Sequence, residues 1–325
     1  MRLRVPGSAE PTYPAPDLAL RTAGSRRLER IDPVRLHSLV AGLPAPRNRM
    51  DARAAMEATD TLLQDSWRAS GWRIGRQRVA GGGRNVVAIR EGATRDAVVV
   101  VAHHDTVPGS PGADDNGAGV AALIMLASLL EGPRRRTVIL AAPDFEEIGL
   151  IGSRALVRWL RSAYDVRGAI VFDPIGYMDA RPGTQSVPPG IDRLYPDQVA
   201  RLDARGRAGD TVVSLYRHSS LELVRTWASC LAAVLDPDRI LLLRDPVDLP
   251  VIGRALLAVP MARHFSRSDH VRFWDAGLPA IQVTNTANFR NPNYHRTTDT
   301  PETLDYRTLA AITAATALAV DRLAG

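Results

Sequence analysis

The chain has 325 residues, an apolar content of 45% and a formal net charge of +6. This length and composition suit a folded chain with a sizeable core, and they exclude a disordered polymer. No apolar run approaches the roughly 20 residues that a membrane helix needs, so we expect no membrane-spanning segment.

Charge and cysteine content exclude further classes of protein. All 41 basic residues are arginine, and they are spread along the chain. A nucleic-acid surface usually clusters its charge on one face, so we expect no nucleic-acid partner. Cys230 is the only cysteine, so any metal site must use histidine and carboxylate ligands. The N-terminus lacks the apolar stretch of a signal peptide, which predicts a cytoplasmic location.

The first predicted elements precede a run of buried strands. Residues 1–27 are rich in Pro, Ala and Arg without periodicity, and they predict a flexible arm before a single catalytic domain over 28–325. Apolar residues at helical spacing predict a helix near 50–71. Short β-branched runs predict strands at 85–89 and 97–102. The second run, AVVVVA, is apolar throughout, as expected of a central strand covered on both faces.

Helices and strands alternate after this strand. The predicted elements are a helix over 116–130, a strand at 137–142, a helix over 150–160 and a strand at 169–173. Such alternation predicts an α/β fold with a mostly parallel sheet flanked by helices. Farther along we predict a helix over 221–235, a strand at 279–284 and a closing helix over 303–323. The stretch 181–215 reads as irregular, and 236–265 gives no clear pattern.

Polar side chains follow the predicted strands at their carboxyl ends, where open α/β sheets bind ligands. They are His103 and Asp105, the pair Asp114 and Asp115 in a glycine-rich turn, Glu146 and Glu147, Asp173, and His295. Each group alone has an ordinary alternative: a surface histidine, helix-capping aspartates or an acidic helix start. Together they offer two histidines and several carboxylates, a nitrogen and oxygen set that suits catalytic zinc.

Six motifs occur in a recognisable order. They are AHHDTV (102–107), SPGADDNGAGVAAL (110–123), EEIGLIGSRALV (146–157), FDPIG (172–176), SDHVRF (268–273) and NPNYHRTTDTPETLDY (291–306). In this order they resemble the zinc aminopeptidase family of clan MH, which includes bacterial leucine aminopeptidases, glutamate carboxypeptidase II and glutaminyl cyclases. The resemblance runs from about residue 34 to the C-terminus and is weak across 181–265.

The resemblance implies a three-layer α/β/α zinc-exopeptidase fold of the phosphorylase/hydrolase-like kind, with a mixed, mostly parallel sheet. It also implies two Zn²⁺ ions per chain. One would be held by His103, Asp115 and Asp173, and the other by Asp115, Glu147 and His295, so that Asp115 bridges them. The family has a cis peptide after the bridging aspartate, here Asp115–Asn116.

Further roles follow from the same resemblance. Asp105 would orient His103, and Glu146 would be the general base of amide hydrolysis. Tyr294 matches an oxyanion-stabilising tyrosine in some family members, with simple packing as the alternative.

Five other histidines and one aspartate receive weaker expectations. His104 is expected to line the pocket, and His270 to form its wall or support a ligand. Asp269 is expected to cap a helix. The remaining histidines, His37, His218 and His264, match no motif and are expected to be structural or on the surface.

The sequence does not decide which substrate the protein acts on. An aminopeptidase acting on peptides is the first interpretation, and the alternatives are a glutaminyl cyclase, a dipeptidase or carboxypeptidase, and an N-acyl amino acid deacylase. A non-enzymatic scaffold is disfavoured because every ligand and the base are present. Specificity is expected to lie in 177–267 and in the loop 285–293, and the sequence gives no oligomeric state.

Overall fold

A computed structural model describes residues 5–325, in which eight strands form one mixed sheet. The strands are β1 (Arg73–Arg78), β2 (Arg84–Arg90), β3 (Thr94–Val101), β4 (Arg136–Ala142), β5 (Asp165–Phe172), β6 (Val212–Tyr216), β7 (Ile240–Arg244) and β8 (Ala280–Thr284). Their order across the sheet is β1-β2-β4-β3-β5-β8-β6-β7. The four middle strands run parallel, while β2 pairs with β4, and β6 with β8, in antiparallel fashion. The predicted mixed, mostly parallel sheet is confirmed, with β3 in its interior.

Helices connect the strands and cover the sheet. They are α1 (Leu18–Glu29), α2 (Pro33–Ala41), α3 (Arg53–Ala69), α4 (Gly119–Leu129), α5 (Ile151–Ala163), α6 (Ile191–Leu194), α7 (Pro196–Ala204), α8 (Leu221–Ala232), α9 (Gly253–Leu256), α10 (His270–Asp275) and α11 (Tyr306–Ala324). The stretches without a clear pattern also contain regular structure. Residues 181–215 include α6, α7 and β6, and 236–265 include β7 and α9.

The sheet separates two hydrophobic cores because side chains alternate along each strand. On β3, Val98 and Val100 join one core, and Val99 and Val101 join the other. Helices α2, α3, α4, α8 and α11 cover the first face, and α5, α6, α7 and α10 cover the second. This arrangement is the expected three-layer α/β/α architecture.

The range predicted as an N-terminal arm contains helix α1. Asp17 caps α1 by accepting a hydrogen bond from the backbone N–H of Leu20 at 2.7 Å. Gly24 lies so close to the end of α8 that a Cβ there would meet Val234 Cγ1 at 2.7 Å. Arg27 forms an ion pair of 2.7 Å with Asp321 on α11. Residues 18–27 are therefore a packed helix, because their contacts with α8 and α11 are tertiary and leave no periodic signal in the sequence.

No helix within residues 5–325 combines the length and the apolar character needed to span a bilayer.

The parallel middle strands end at one edge of the sheet, which is where the polar motifs meet. His103 lies two residues beyond β3, and Asp144 lies two residues beyond β4. Asp173 directly follows β5, and Asn285 directly follows β8. Since parallel strands share their carboxyl edge, these four residues arrive at one place, and with His103 and Asp173 come the two motifs that contain them.

We expect Trp227→Ala to lower the free energy of unfolding by about 3–5 kcal/mol, the usual effect of truncating a buried aromatic residue. Trp227 is fully buried on α8 and donates a hydrogen bond from Nε1 to Ser214 Oγ on β6 at 2.8 Å. Urea denaturation followed by circular dichroism measures the change. The half-buried Trp159 on α5 provides the control, Trp159→Ala, which should lose less than half as much. Equal losses would contradict the placement of Trp227 in the core.

Candidate metal centre

One ring nitrogen of His103 has a hydrogen-bond partner, and the other has none. Its Nδ1 lies 3.1 Å from the backbone carbonyl oxygen of Asp105, as suits an Nδ1–H donor. Its Nε2 is buried and makes no hydrogen bond. A histidine whose Nδ1–H is held by the protein presents Nε2 as a metal ligand.

Asp105 acts on two parts of the site. Its carboxylate lies 3.6 Å from Nδ1 of His103. The same carboxylate accepts hydrogen bonds from the backbone N–H groups of Glu146 at 3.1 Å and Glu147 at 3.3 Å. Asp105 therefore fixes the turn that carries both glutamates, in addition to lying against the histidine ring.

Asp115 lies between the two predicted histidine ligands. Its Oδ1 is 3.1 Å from His103 Nε2, and its Oδ2 is 3.0 Å from His295 Nε2. The Asp115–Asn116 peptide bond is cis, as the resemblance implies. Asp299, a residue that the sequence did not single out, accepts from the backbone N–H groups of Asp114 at 2.9 Å and Asp115 at 3.2 Å.

Two groups of ligand atoms share Asp115. One consists of His103, Asp115 and Asp173, and the other of Asp115, Glu147 and His295, each with its ligand atoms within 4.8 Å of one another. Glu146 also forms such a group with His103 and Glu147. Nε2 of His103, Oδ1 of Asp115 and Oε1 of Glu147 are buried without a hydrogen-bond partner. Unpaired buried acceptors converging in this way fit a bound cation, and the nitrogen and oxygen set fits zinc.

The crowding of carboxylates shifts the ionisation of the whole cluster. Burial, reinforced by the charges of Asp173 and Asp269, raises the pKa of Glu146 well above its ordinary value. Burial and the charge of Asp115 raise the pKa of Glu147 to about 7. Although burial opposes it, hydrogen bonding to Asp115 and Glu147 raises the pKa of His295 to about 10. These shifts have one cause, namely excess negative charge in a place with little water.

Tyr294 stacks on the ring of His295, with ring centroids 3.9 Å apart. Burial and the charge of Asp115 raise the pKa of its hydroxyl far above the ordinary value, so Tyr294 keeps its proton. Arg267 Nη2 donates to the Tyr294 hydroxyl oxygen at 3.4 Å. Tyr294 thus presents a protonated hydroxyl beside a predicted metal ligand.

The carboxylate of Asp114 has other partners than the carboxylate of its neighbour Asp115. Its carboxylate accepts hydrogen bonds from the backbone N–H groups of Gly176 (2.7 Å) and Tyr177 (2.9 Å) and from the amides of Asn285 (2.9 Å) and Asn291 (2.8 Å). Neither aspartate therefore serves as a simple helix cap. Asp114 ties the ends of β5 and β8 together, which leaves Asp115 for the metal.

His104 does not line the pocket, contrary to expectation. It is fully buried, its Nδ1 lies 2.8 Å from Pro143 O and its Nε2 lies 2.9 Å from Asp60 Oδ1. Arg49 pairs with Asp60 at 2.7 Å and with Asp144 at 2.6 Å. Adjacent residues of an extended chain point to opposite sides, so His104 enters this network when His103 faces the metal site. No signal in the sequence connects Arg49 and Asp60 to it.

A buried arginine stabilises the same edge of the sheet. Arg47 donates to the backbone carbonyls of His104 (3.2 Å), Pro111 (3.0 Å) and Gly112 (2.9 Å). It therefore joins the end of β3 to the glycine-rich turn before Asp115.

The SDHVRF motif also departs from expectation. Asp269 begins α10, yet its side chain makes no capping hydrogen bond, and burial raises its pKa to about 7. His270 is buried, with Nε2 2.9 Å from Phe265 O and its ring edge-on to Trp274. Burial lowers the pKa of His270 to about 4, so it stays neutral and supports the segment that carries Phe265.

An apolar cavity of about 400 Å³ opens beside the ligand cluster. Its lining includes Asp115, Glu146, Glu147, Asp173 and His295 at one end, and Ile191, Val199, Leu202, Val213, Leu215, Leu241, Leu243 and Phe265 beyond them. His264, expected to be structural or on the surface, lies on the exposed rim of this cavity. The cavity lies over the β8-β6-β7 part of the sheet, and more than half of its lining residues fall in the two ranges from which specificity was expected.

Comparison with known proteins places this geometry in a family. The family model of Peptidase family M28 matches residues 85–217 and 253–320. The uncharacterised protein YfbL of Escherichia coli K12 is 30% identical over 266 residues, which cover 77% of this chain and 75% of YfbL. The probable lipoprotein aminopeptidase LpqL of Mycobacterium tuberculosis is 31% identical over 242 residues, which cover 73% of this chain and 45% of LpqL.

Solved structures show the same fold. The LapA aminopeptidase of Legionella pneumophila superposes with a TM-score of 0.69 at 15% identity, covering 98% of this chain and 78% of that one. The glutaminyl cyclase of Porphyromonas gingivalis superposes with a TM-score of 0.59 at 16% identity, covering 93% of this chain and 96% of that one. The chain belongs to peptidase family M28 and is a hydrolytic peptidase.

The two neighbouring aspartates should give opposite phenotypes when changed. Asp115→Asn should lower zinc affinity at least tenfold, which is the effect of removing even an outer partner of a metal ligand, and should leave the fold intact. Asp114→Asn places an amide against four donors and should lower the free energy of unfolding by about 2–4 kcal/mol. Zinc titration calorimetry and urea denaturation of both variants separate the two effects. A loss of zinc affinity confined to Asp114→Asn would reverse our assignment.

Proposed function

We propose that this protein is an aminopeptidase that uses two zinc ions to remove the amino-terminal residue of a peptide. The observation that supports this most directly is the pair of three-residue ligand groups that share Asp115. LpqL, whose printed name is that of a probable lipoprotein aminopeptidase, covers most of this chain in sequence. The chain spans less than half of LpqL, so the proposal concerns the catalytic activity alone.

The ligands divide between the two sites. His103 and Asp173 would hold one zinc, Glu147 and His295 the other, and the two oxygens of Asp115 would serve one site each. When bound there, two zinc ions supply an activated water and polarise the carbonyl of the scissile amide.

Glu146 is our candidate for the general base. It is buried among the ligands, its pKa is raised well above the ordinary value, and its backbone N–H is fixed by Asp105. A carboxylate in such surroundings accepts a proton readily. It would take the proton of the attacking water and deliver it to the leaving amine.

Tyr294 is our candidate for stabilising the oxyanion that forms on the carbonyl. Its hydroxyl keeps its proton, and the ring is fixed by stacking on His295. A fixed O–H donor aimed at developing negative charge needs no reorganisation during the reaction.

The cavity indicates the kind of residue that is removed. Its volume of about 400 Å³ is more than twice that of the roughly 150 Å³ cavity known to hold a benzene ring. Beyond the ligand cluster, strands β6 and β7 line it with Val213, Leu215, Leu241 and Leu243. We therefore propose a preference for peptides with a large apolar amino-terminal residue, since burying that side chain is favourable.

The alternative function, that of a glutaminyl cyclase, would use the same fold with a different number of metal ions. His103 and Asp173 complete a second ligand group beside Asp115, Glu147 and His295. This second group favours two metals and hydrolysis over the single zinc expected of a cyclase. Two zinc ions per folded chain by mass spectrometry would agree with the peptidase, and one would favour the cyclase.

Glu146→Gln should lower kcat for leucine p-nitroanilide by about 10³-fold, because the variant cannot accept a proton. Its zinc content should equal that of the wild type, because Glu146 is not among the proposed ligands. Glu222→Gln, at a side chain 86% exposed on α8, is the matched control and should keep full activity. Full activity in Glu146→Gln would remove it as the base.

Narrowing the cavity should change which residue is removed. Val213→Phe should lower kcat/KM for leucine p-nitroanilide by about tenfold or more, since an apolar pocket discriminates by tens of fold per methylene group. The value for alanine p-nitroanilide should change much less, because the smaller side chain does not need the added space. Equal losses for both substrates would show that the cavity does not bind this side chain.

A further inference from the structure

Arg267 lies at the mouth of the cavity, on its solvent side. It follows the 3₁₀ turn Pro260–Ser266 and comes just before α10, and its side chain is exposed. Among residues 5–325, it is the one arginine that lines the cavity, whereas Asp115, Glu146, Glu147 and Asp173 line the inner end. One arginine thus faces a site that four carboxylates line.

The partners of Arg267 are neutral. Nη1 donates to Asn288 Oδ1 at 2.7 Å, and Nη2 makes only the long contact of 3.4 Å with the Tyr294 hydroxyl. No carboxylate in the described part of the chain lies within 4.0 Å of its guanidinium. By contrast, Arg217, which directly follows β6, pairs with Asp245 at 2.8 Å. The guanidinium fork of Arg267 therefore has donors to offer to an anion, and a planar carboxylate fits that fork.

The position of Arg267 relative to Tyr294 indicates which part of a substrate it meets. The scissile carbonyl lies at the ligand cluster, where Tyr294 stacks on His295. The part of the cavity lined by β6 and β7 would take the side chain of the residue that is removed. Arg267 is on the open side, where the leaving amine and the residue that carries it would lie.

Chain geometry places a charged group at that point in short substrates. In a dipeptide, the carboxylate carbon follows the scissile carbon after only the amide nitrogen and one Cα. The separation is within the roughly 3.8 Å that divides successive Cα atoms. In a longer peptide the same position holds a neutral amide, which has no charge for Arg267 to bind.

We propose that Arg267 binds the α-carboxylate of the leaving amino acid, and that the enzyme thereby prefers dipeptides over longer peptides. This inference rests on the proposed peptidase function and deepens it, because it names the substrate class. Arg267 is a specificity-determining residue in this view and takes no part in the proton transfers.

The test compares two substrates that differ in that one charge. Wild type, Arg267→Gln, Arg267→Lys and Arg263→Gln are assayed with leucyl-alanine and leucyl-alaninamide, and kcat/KM is measured from released leucine. Arg263 is the matched control, because it is an exposed arginine on the same 3₁₀ turn that does not line the cavity. Zinc content and circular dichroism confirm that each variant is folded and loaded.

We expect wild type to prefer the free carboxylate by about tenfold, as is usual for a hydrogen bond to a charged group. Arg267→Gln should bring the ratio of the two kcat/KM values to about one, mainly through KM. Arg267→Lys should keep part of the preference, since it retains the charge without the fork. Arg263→Gln should match wild type.

Three results would overturn the proposal. A wild-type ratio of about one removes the carboxylate preference and leaves the peptidase function standing. An equal loss on both substrates in Arg267→Gln shows that Arg267 only holds Tyr294 or the loop at Asn288. If zinc-loaded wild type cleaves neither substrate nor leucine p-nitroanilide, the peptidase proposal fails as well, and with it this inference.

Discussion

Repulsion between carboxylates at one edge of the sheet is the constraint around which this structure is arranged. Asp115, Glu146, Glu147 and Asp173 meet there with His103 and His295, and all of these side chains except Glu147 and His295 are buried. Two like charges about 4 Å apart repel by roughly 4 kcal/mol at an effective dielectric of 20. A fold that keeps several such pairs together needs compensating positive charge. Because the pKa values of Glu147 and His295 are raised, bound protons supply part of this charge, and metal ions would supply more of it.

The surroundings of the cluster hold these groups in place by backbone contacts. Asp299 fixes the turn before Asp115, and Asp105 fixes the turn before Glu147. Arg47 donates to the carbonyl groups of His104, Pro111 and Gly112 and so joins the strand end to the glycine-rich turn. Because each support uses a different element, the ligand positions depend on the whole sheet edge, and a change in one support should move several ligands together.

The cavity beside the ligand cluster differs from it in chemical character. Where the cluster is polar and charged, the cavity over β6 and β7 is apolar, and Arg267 at its mouth has only neutral partners. In the proposed function, catalysis takes place at the carboxyl edge of the parallel strands, and the apolar side chain of the substrate binds on β6 and β7 beside them. The family model matches residues 85–217 and 253–320, so the stretch between these two segments that it leaves unmatched is 218–252, which includes β7.

The sequence by itself determined the parallel core and the chemistry at its edge. AVVVVA predicted β3, and the residues after each strand named the ligand cluster, because strand periodicity and strand ends are local features. The tertiary structure alone decided which groups the Asp114 carboxylate binds, that His104 turns into the network with Asp60, and that α1 packs on α11. Those outcomes depend on which residues from distant parts of the sequence contact a given side chain. The cavity between α7, β6 and β7 depends on such contacts as well. No local pattern of residues records such contacts.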